Sequence, residues 1–227
     1  RSLATPRGGK CMSSPLIEHG PLVVFLTFTA VGLATALGRV SLPGCESFSS
    51  MKKRLLGLFI VEMGGLLTSA WTLMIHFQLS TGPSNLCAAE GVVQCGSVIG
   101  DLTYSTDPIT GLPWGVIGML AFALLGWFTL SMLLDMKADW SKKYVDYAWW
   151  ISLPSIPGIL WLVFVELVLV DGAPHICPYC TAVHIALIAT MYLLYTIRKE
   201  RDMGNWDTAG PKRSKAELLA EARGKKK

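Results

Sequence analysis

The stretch LPWGVIGMLAFALLGWFTLSMLL, residues 112–134, contains no charged side chain. A bilayer span needs roughly 20 mainly apolar residues, and this is one of several windows in the chain that qualify. Five spans can be read, at about Pro21 to Leu42, Leu55 to Leu79, Leu112 to Leu134, Tyr147 to Val170 and Ile176 to Ile197. Charged residues make up 16% of the 227 residues, against about 25% in soluble domains, so the core is expected to pack in lipid. The net charge of +4 carries no message about nucleic acid, because most basic residues sit at span ends and in the tail. Trp114, Trp149 and Trp150 fall near predicted span ends, where amphipathic rings favour the interface. The expected fold is an all-α membrane protein.

Basic residues orient these spans. Residues 43–54 carry Lys52, Lys53 and Arg54, residues 135–146 carry Lys137, Lys142 and Lys143, and the tail carries ten from Arg198 to Lys227. Residues 80–111 and 171–176 carry none. The excess of positive charge on the inner face of membranes then places the two basic connections and the tail inside. The loop 80–111, the short loop 171–176 and the N-terminus face outward, with Arg1, Arg7 and Lys10 arguing mildly against the last.

Of the six cysteines, Cys87, Cys95, Cys177 and Cys180 thus fall on the outer, disulfide-permissive side. Cys45 falls inside, and Cys45 and Cys11 read as non-catalytic. CPYC, residues 177–180, opens the last span. Pro178 suits the first helical position, which puts Cys177 near the N-cap and Cys180 one turn in. Unpaired N–H groups and the positive end of the helix dipole favour a thiolate there, and a good leaving thiolate speeds disulfide exchange. His184 follows Cys180 by four residues on the same helix face, and the stripe continues through Leu187, Ile188 and Met191. Two sulfurs, one hydrogen-bonding group and an apolar wall suit a lipophilic acceptor with polar carbonyls, such as a quinone. The plainer reading of His184 is a hydrogen bond to a neighbouring helix.

The second pair, in CAAEGVVQC, is Cys87 and Cys95. Two pairs on one side of a membrane can pass a disulfide between them by thiolate attack. The alternatives are two structural staples in a non-enzymatic membrane subunit, or a four-cysteine zinc site, for which the loop pair is widely spaced.

From Leu55 to Ile197 the chain resembles the vitamin K epoxide reductase family, which includes bacterial and plastid quinone-linked thiol oxidases. The resemblance rests on Cys87 and Cys95 with seven residues between them, Val98 three residues on, GLPWGVIG opening a span, and CPYC opening the last one. It implies a four-helix transmembrane bundle over 55–197. Residues 1–20 form an N-terminal segment, 21–54 an extra transmembrane helix with a basic loop, and 198–227 a basic tail attracted to anionic lipid. It implies a quinone cofactor of the ubiquinone, menaquinone, plastoquinone or phylloquinone type near Cys180. It also implies a separate thioredoxin-like protein partner, because no such domain is fused. In this pattern Cys87 faces the partner, Cys95 attacks Cys177, and Cys180 faces the quinone. Reduction of an epoxide stays open. The setting would be a bacterial inner membrane or a plastid thylakoid.

The chain departs from the family at two places. Asp101 stands where the family often has Ser or Thr, and His184 where it often has an aromatic residue. Two acids also lie within spans, where ionisable groups are expensive. Glu166, about 7 Å from the outer end of its helix at 1.5 Å per residue, reads first as a snorkelling interfacial carboxylate. Its second reading is a group that helps to deliver protons to a reduced quinone. Glu62, nearer the inner end, is expected to pair with a neighbouring helix.

Overall fold

A computed structural model describes residues 15–40, 42–45, 47–81, 92–93, 96–101 and 103–207. Cys11, Cys87 and Cys95 lie outside the described residues. The chain folds into helices α1 (Pro15–Ala36), α2 (Ser50–Thr81), α3 (Gly96–Ile99), α4 (Trp114–Leu134), α5 (Asp139–Ser152), α6 (Ser155–Phe164) and α7 (Pro178–Asp202). A π-helical turn over Val165–Leu169 extends α6, and a short 3-10 turn covers Asn205–Asp207. No strand occurs among the described residues, only isolated bridges.

Among the described residues, four units are long and apolar enough to cross a membrane: α2, α4, the run Asp139–Leu169, and α7. The apolar stretch of α1, Gly20–Ala36, is shorter. The protein is an all-α integral membrane protein, with α2, α4, α5–α6 and α7 as a bundle and α1 laid on α2 and α7.

The boundaries differ from the expected ones for local reasons. α1 ends at Ala36 rather than Leu42 because Gly38, with φ of 70°, closes it. The Gly38 N–H donates to the Thr35 carbonyl and the Arg39 N–H to that of Ala34, the left-handed stop that glycine permits. The fourth span is not one helix from Tyr147 to Val170. It begins at Asp139 and breaks at Leu153 and Pro154, since Pro154 has no N–H for the ladder.

Close approach sets the packing of α1. A side chain on Gly57 would collide with the Gly32 carbonyl and the Ala36 backbone, and one on Gly65 with the Phe122 ring. Small residues of this kind let helices touch in lipid, where hydrophobic exclusion does not drive them together. One core cluster fills the basic end with Leu55, Leu58, Phe122, Leu193 and Ile197. A second gathers Phe25, Ile75, Val98, Val165, Cys177 and Tyr179 at the other end. There α1 contributes Phe25, whose ring lies 6.4 Å from those of both Trp71 and Tyr179.

The basic end is tied by ions. Arg201 holds Asp146 at 2.7 Å, Arg198 reaches the same carboxylate at 3.0 Å, and Arg54 meets Glu200 at 3.2 Å. The Trp206 indole N–H donates to the Met136 carbonyl. Glu62 is fully buried in the bundle, and Thr129 of α4 donates to its Oε1 at 3.1 Å, which is the neighbouring-helix pairing expected for it.

Candidate functional site

CPYC is set by the start of α7. Cys177 is the N-cap and Pro178 the first helical residue. The Cys180 N–H donates to Cys177 Sγ at 3.2 Å, so the first sulfur takes the role an N-cap oxygen usually plays. The two sulfurs are 2.7 Å apart, somewhat more than the roughly 2.05 Å of a disulfide bond. Cys177 is fully buried, and both are free thiols.

Glu166 stands beside them. It does not snorkel: only 5% of it is exposed, and its carboxylate oxygen and the two sulfurs all lie within 4.8 Å of one another. The Cys177 N–H and the Cys180 thiol both interact with the carboxylate, while Oε1 has no hydrogen-bond partner among the described residues. The cause of this inward placement is local. The π turn Val165–Leu169 carries Glu166 in its first positions, and the His175 N–H binds the Glu166 carbonyl at 2.9 Å. A helix turn widened this way shifts the direction in which its side chains point, and such turns are frequent at functional sites.

Cys180 opens onto a cavity of about 70 Å³ between α2, α4 and α7, with Ser69, His76, Ser105, Trp114 and His184 among its walls. A second cavity of about 180 Å³ shares Trp114, Leu162, Val183 and His184 with the first. It runs along Ile117, Leu125, Ile159 and Leu187 toward the break at Pro154. Four polar atoms on these walls are buried without a partner among the described residues: Ser69 Oγ, Ser105 Oγ, Trp114 Nε1 and His184 Nε2. Native proteins leave few buried polar groups unpaired, and these four around one apolar space are the groups there that a water or the oxygen of a ligand could pair.

The roof of the first cavity is the loop before α4. The Trp114 N–H donates to the Ser105 carbonyl at 3.1 Å and the Asp107 N–H to that of Leu112 at 2.8 Å. Asp107 is held below the usual carboxylate range by hydrogen bonds from the Thr110 N–H and hydroxyl. Asp101 stays within its own turn, accepting from the Thr103 N–H at 2.8 Å. His76 Nδ1 meets the Ile99 carbonyl oxygen at 3.4 Å, which ties α3 to α2.

The expected α7 stripe divides. His184 and Leu187 face the cavities. Ile188 does not share their face: it is 54% exposed and turns outward. Met191 takes a contact from the Ser155 hydroxyl at 3.7 Å and lines neither of the two cavities. Trp150 is exposed as an interfacial ring is, but Trp114 is turned inward. Sequence reasoning missed Ser69, Thr72, His76 and Ser105. The first three recur on α2 at helical spacing, a polar stripe inside an apolar segment, and that signal was available. Cys45 is a free thiol in the turn between α1 and α2.

The Ile176 N–H donates to the Val92 carbonyl at 2.8 Å, and Val93 bridges to Ile176 in parallel. The main chain just before Cys95 in sequence therefore runs beside the residue just before Cys177.

No curated protein and no solved structure matches the chain. The description that does match is that of the Vitamin K epoxide reductase family, over residues 56–195. That match covers more than half of the chain and includes α2, α4, the broken α5–α6 unit and the CPYC start of α7. The chain therefore belongs to the vitamin K epoxide reductase family, whose members are membrane thiol–disulfide oxidoreductases.

Proposed function

We propose that this protein oxidises a separate thioredoxin-like partner and passes the electrons to a membrane quinone, so that disulfides form in other proteins. The observation that carries the reading is Cys180 at the edge of an apolar cavity with four polar groups that have no partner among the described residues. The residues present fit a quinone. Trp114 Nε1 would donate to a carbonyl oxygen of a bound quinone, and Ser69, Ser105 and His184 could donate in turn. The first cavity, at about 70 Å³, is smaller than the roughly 150 Å³ that accommodates a benzene-sized ring; the second, at about 180 Å³, exceeds it and adjoins the first through Trp114 and His184. A quinone held there supplies acceptance of two electrons and two protons.

The chain's own groups do the rest. The partner's dithiol reduces the Cys87–Cys95 disulfide. Cys95 then attacks Cys177, and Cys180 leaves as the thiolate toward the cavity. Cys87 resolves the mixed disulfide, and Cys177 and Cys180 stand reduced. When their S–S bond re-forms, two electrons and two thiol protons leave, and Glu166 takes one of those protons. The main-chain pairing of Val92 and Val93 with Ile176 supports an approach of the Cys95 strand to Cys177. The separation of the Lys and Arg clusters from the cysteine end supports an outward or lumenal site, in a bacterial inner membrane or a thylakoid.

The test uses purified protein, a reduced thioredoxin-like substrate and a quinone analogue under anaerobic conditions. Cys95→Ala should retain a Cys177–Cys180 disulfide yet lose detectable oxidation of the substrate. Wild-type turnover in that variant overturns the relay.

His184 provides a second, smaller check. His184→Leu keeps bulk and removes one polar contact, which is worth roughly 0.5–1.5 kcal/mol for a neutral hydrogen bond. Quinone affinity should fall about two- to tenfold, with exchange between the cysteine pairs unchanged. An identical KM for quinone in both proteins would reduce His184 to a packing residue.

A further inference from the structure

We infer that the reduced Cys177–Cys180 pair and Glu166 form a binding site for one thiophilic divalent cation of the zinc class, and that filling it excludes the disulfide. The inference goes beyond the relay and does not depend on it. Its ground is the meeting of three ligand atoms, one carboxylate oxygen and two sulfurs, within 4.8 Å of one another.

The burial of two of these three groups argues for a ligand. Cys177 is fully buried, Glu166 is 5% exposed, and Glu166 Oε1 is without a partner among the described residues. Crowding of two thiols and a carboxyl group keeps their protons on, and a cation that joins them takes the place of those protons. Zinc takes sulfur at about 2.3 Å and carboxylate oxygen at about 2.0–2.2 Å, so ligand atoms this near close around it with small movements. Magnesium and calcium require more oxygen ligands than the trio offers, whereas thiolates select soft ions. Cys-x-x-Cys across a helix start brings both sulfurs to the same side. The third ligand comes from another element, the π turn. Cys180 lines the first cavity, whose volume of about 70 Å³ leaves room for a water as fourth ligand.

The metal and the disulfide exclude each other. The sulfurs, now 2.7 Å apart, must spread to bind one ion tetrahedrally, and must close to form the S–S bond. Binding converts two thiols to two metal–sulfur bonds and releases two protons, with no electron transferred. The site thus exists only in the reduced protein, and a chelator returns the free dithiol.

The test uses full-length protein in detergent, reduced and anaerobic, with cobalt(II) as the optical probe and zinc as competitor. One equivalent of cobalt should give a near-ultraviolet thiolate charge-transfer band and strong visible bands of a tetrahedral site. The bands should persist in Cys87→Ser/Cys95→Ser, which has no relay left to fail, and should be absent from oxidised protein. Loss of an outer-shell partner weakens metal sites roughly 10–100-fold, so Glu166→Gln, which removes a direct ligand, should weaken binding at least tenfold. X-ray absorption of the zinc form of the wild type needs no variant and should show two sulfurs with oxygen or nitrogen completing the shell. The proposal is overturned by any of four results: no band from the reduced wild type, loss of the band in the loop-cysteine variant, unchanged affinity in Glu166→Gln, or a four-sulfur shell.

Discussion

Cys180→Ser should permit a single round of partner oxidation and then stop. If the loop pair starts as the Cys87–Cys95 disulfide, it accepts two electrons from one equivalent of reduced partner. Those electrons have no further destination, because Cys177 has lost the only sulfur within bonding reach in its own pair. Serine is close in size and puts a hydrogen-bonding hydroxyl in place of the thiol but forms no disulfide, so packing at the start of α7 is preserved while exchange ends. Rapid mixing should record a burst of one disulfide per chain followed by the uncatalysed thiol–quinone rate. Quinone reduction in the same trace should be flat. Sustained turnover would show that quinone is reduced without the Cys177–Cys180 pair, and the assignment of Cys180 to the acceptor side would fall.

Much of this arrangement can be read from residue order, and the limits are physical. Long apolar runs and their basic flanks suffice to announce α2, α4 and α7, because in lipid the helix is the structure that pairs its own backbone. The N-cap place of Cys177 follows from Pro178, whose missing N–H belongs at a first turn. Direction within a span is harder. Ile188 and Leu187 are adjacent, and one faces lipid while the other faces the cavity. A rotation smaller than the width of the apolar stripe decides between them, and the apolar residues around His184 carry no pattern that fixes it. Trp114 shows the same ambiguity: a tryptophan at a span end satisfies its N–H equally well at the headgroups or inside a site. The snorkelling reading of Glu166 fails for a different reason, while its place on the cysteine side holds. Counting 1.5 Å per residue locates its depth but assumes a straight α-helix, and the break at Pro154 and the π turn at Val165–Leu169 turn its carboxylate from the interface to the cysteines. The polar stripe of Ser69, Thr72 and His76 acquires meaning only once α7 brings Cys180 and His184 opposite it.

Glu166→Gln is the substitution that separates proton movement from electron movement. Glutamine keeps the shape and a hydrogen-bonding oxygen, so the Cys177 N–H retains an acceptor, but an amide cannot take a thiol proton. The site is enclosed, and no other carboxylate is found within 4.8 Å of the two sulfurs among the described residues. Ionisable groups inside a membrane span usually line ion pathways or proton relays, and a positioned acid or base contributes typically 10²–10⁴-fold. Single-turnover oxidation of the Cys177–Cys180 dithiol by quinone should therefore slow by roughly 10²-fold or more, with little change in quinone KM. Disulfide exchange between the loop pair and CPYC, assayed without quinone, should change far less, since its leaving thiolate needs no proton acceptor. Glu166→Asp, one methylene shorter, should recover part of the rate. The solvent isotope effect on the quinone step should also rise in Glu166→Gln as proton removal becomes limiting. Equal loss in both half-reactions would instead point to a disturbed α6–α7 junction, and an unchanged quinone step would mean that the protons leave by another route.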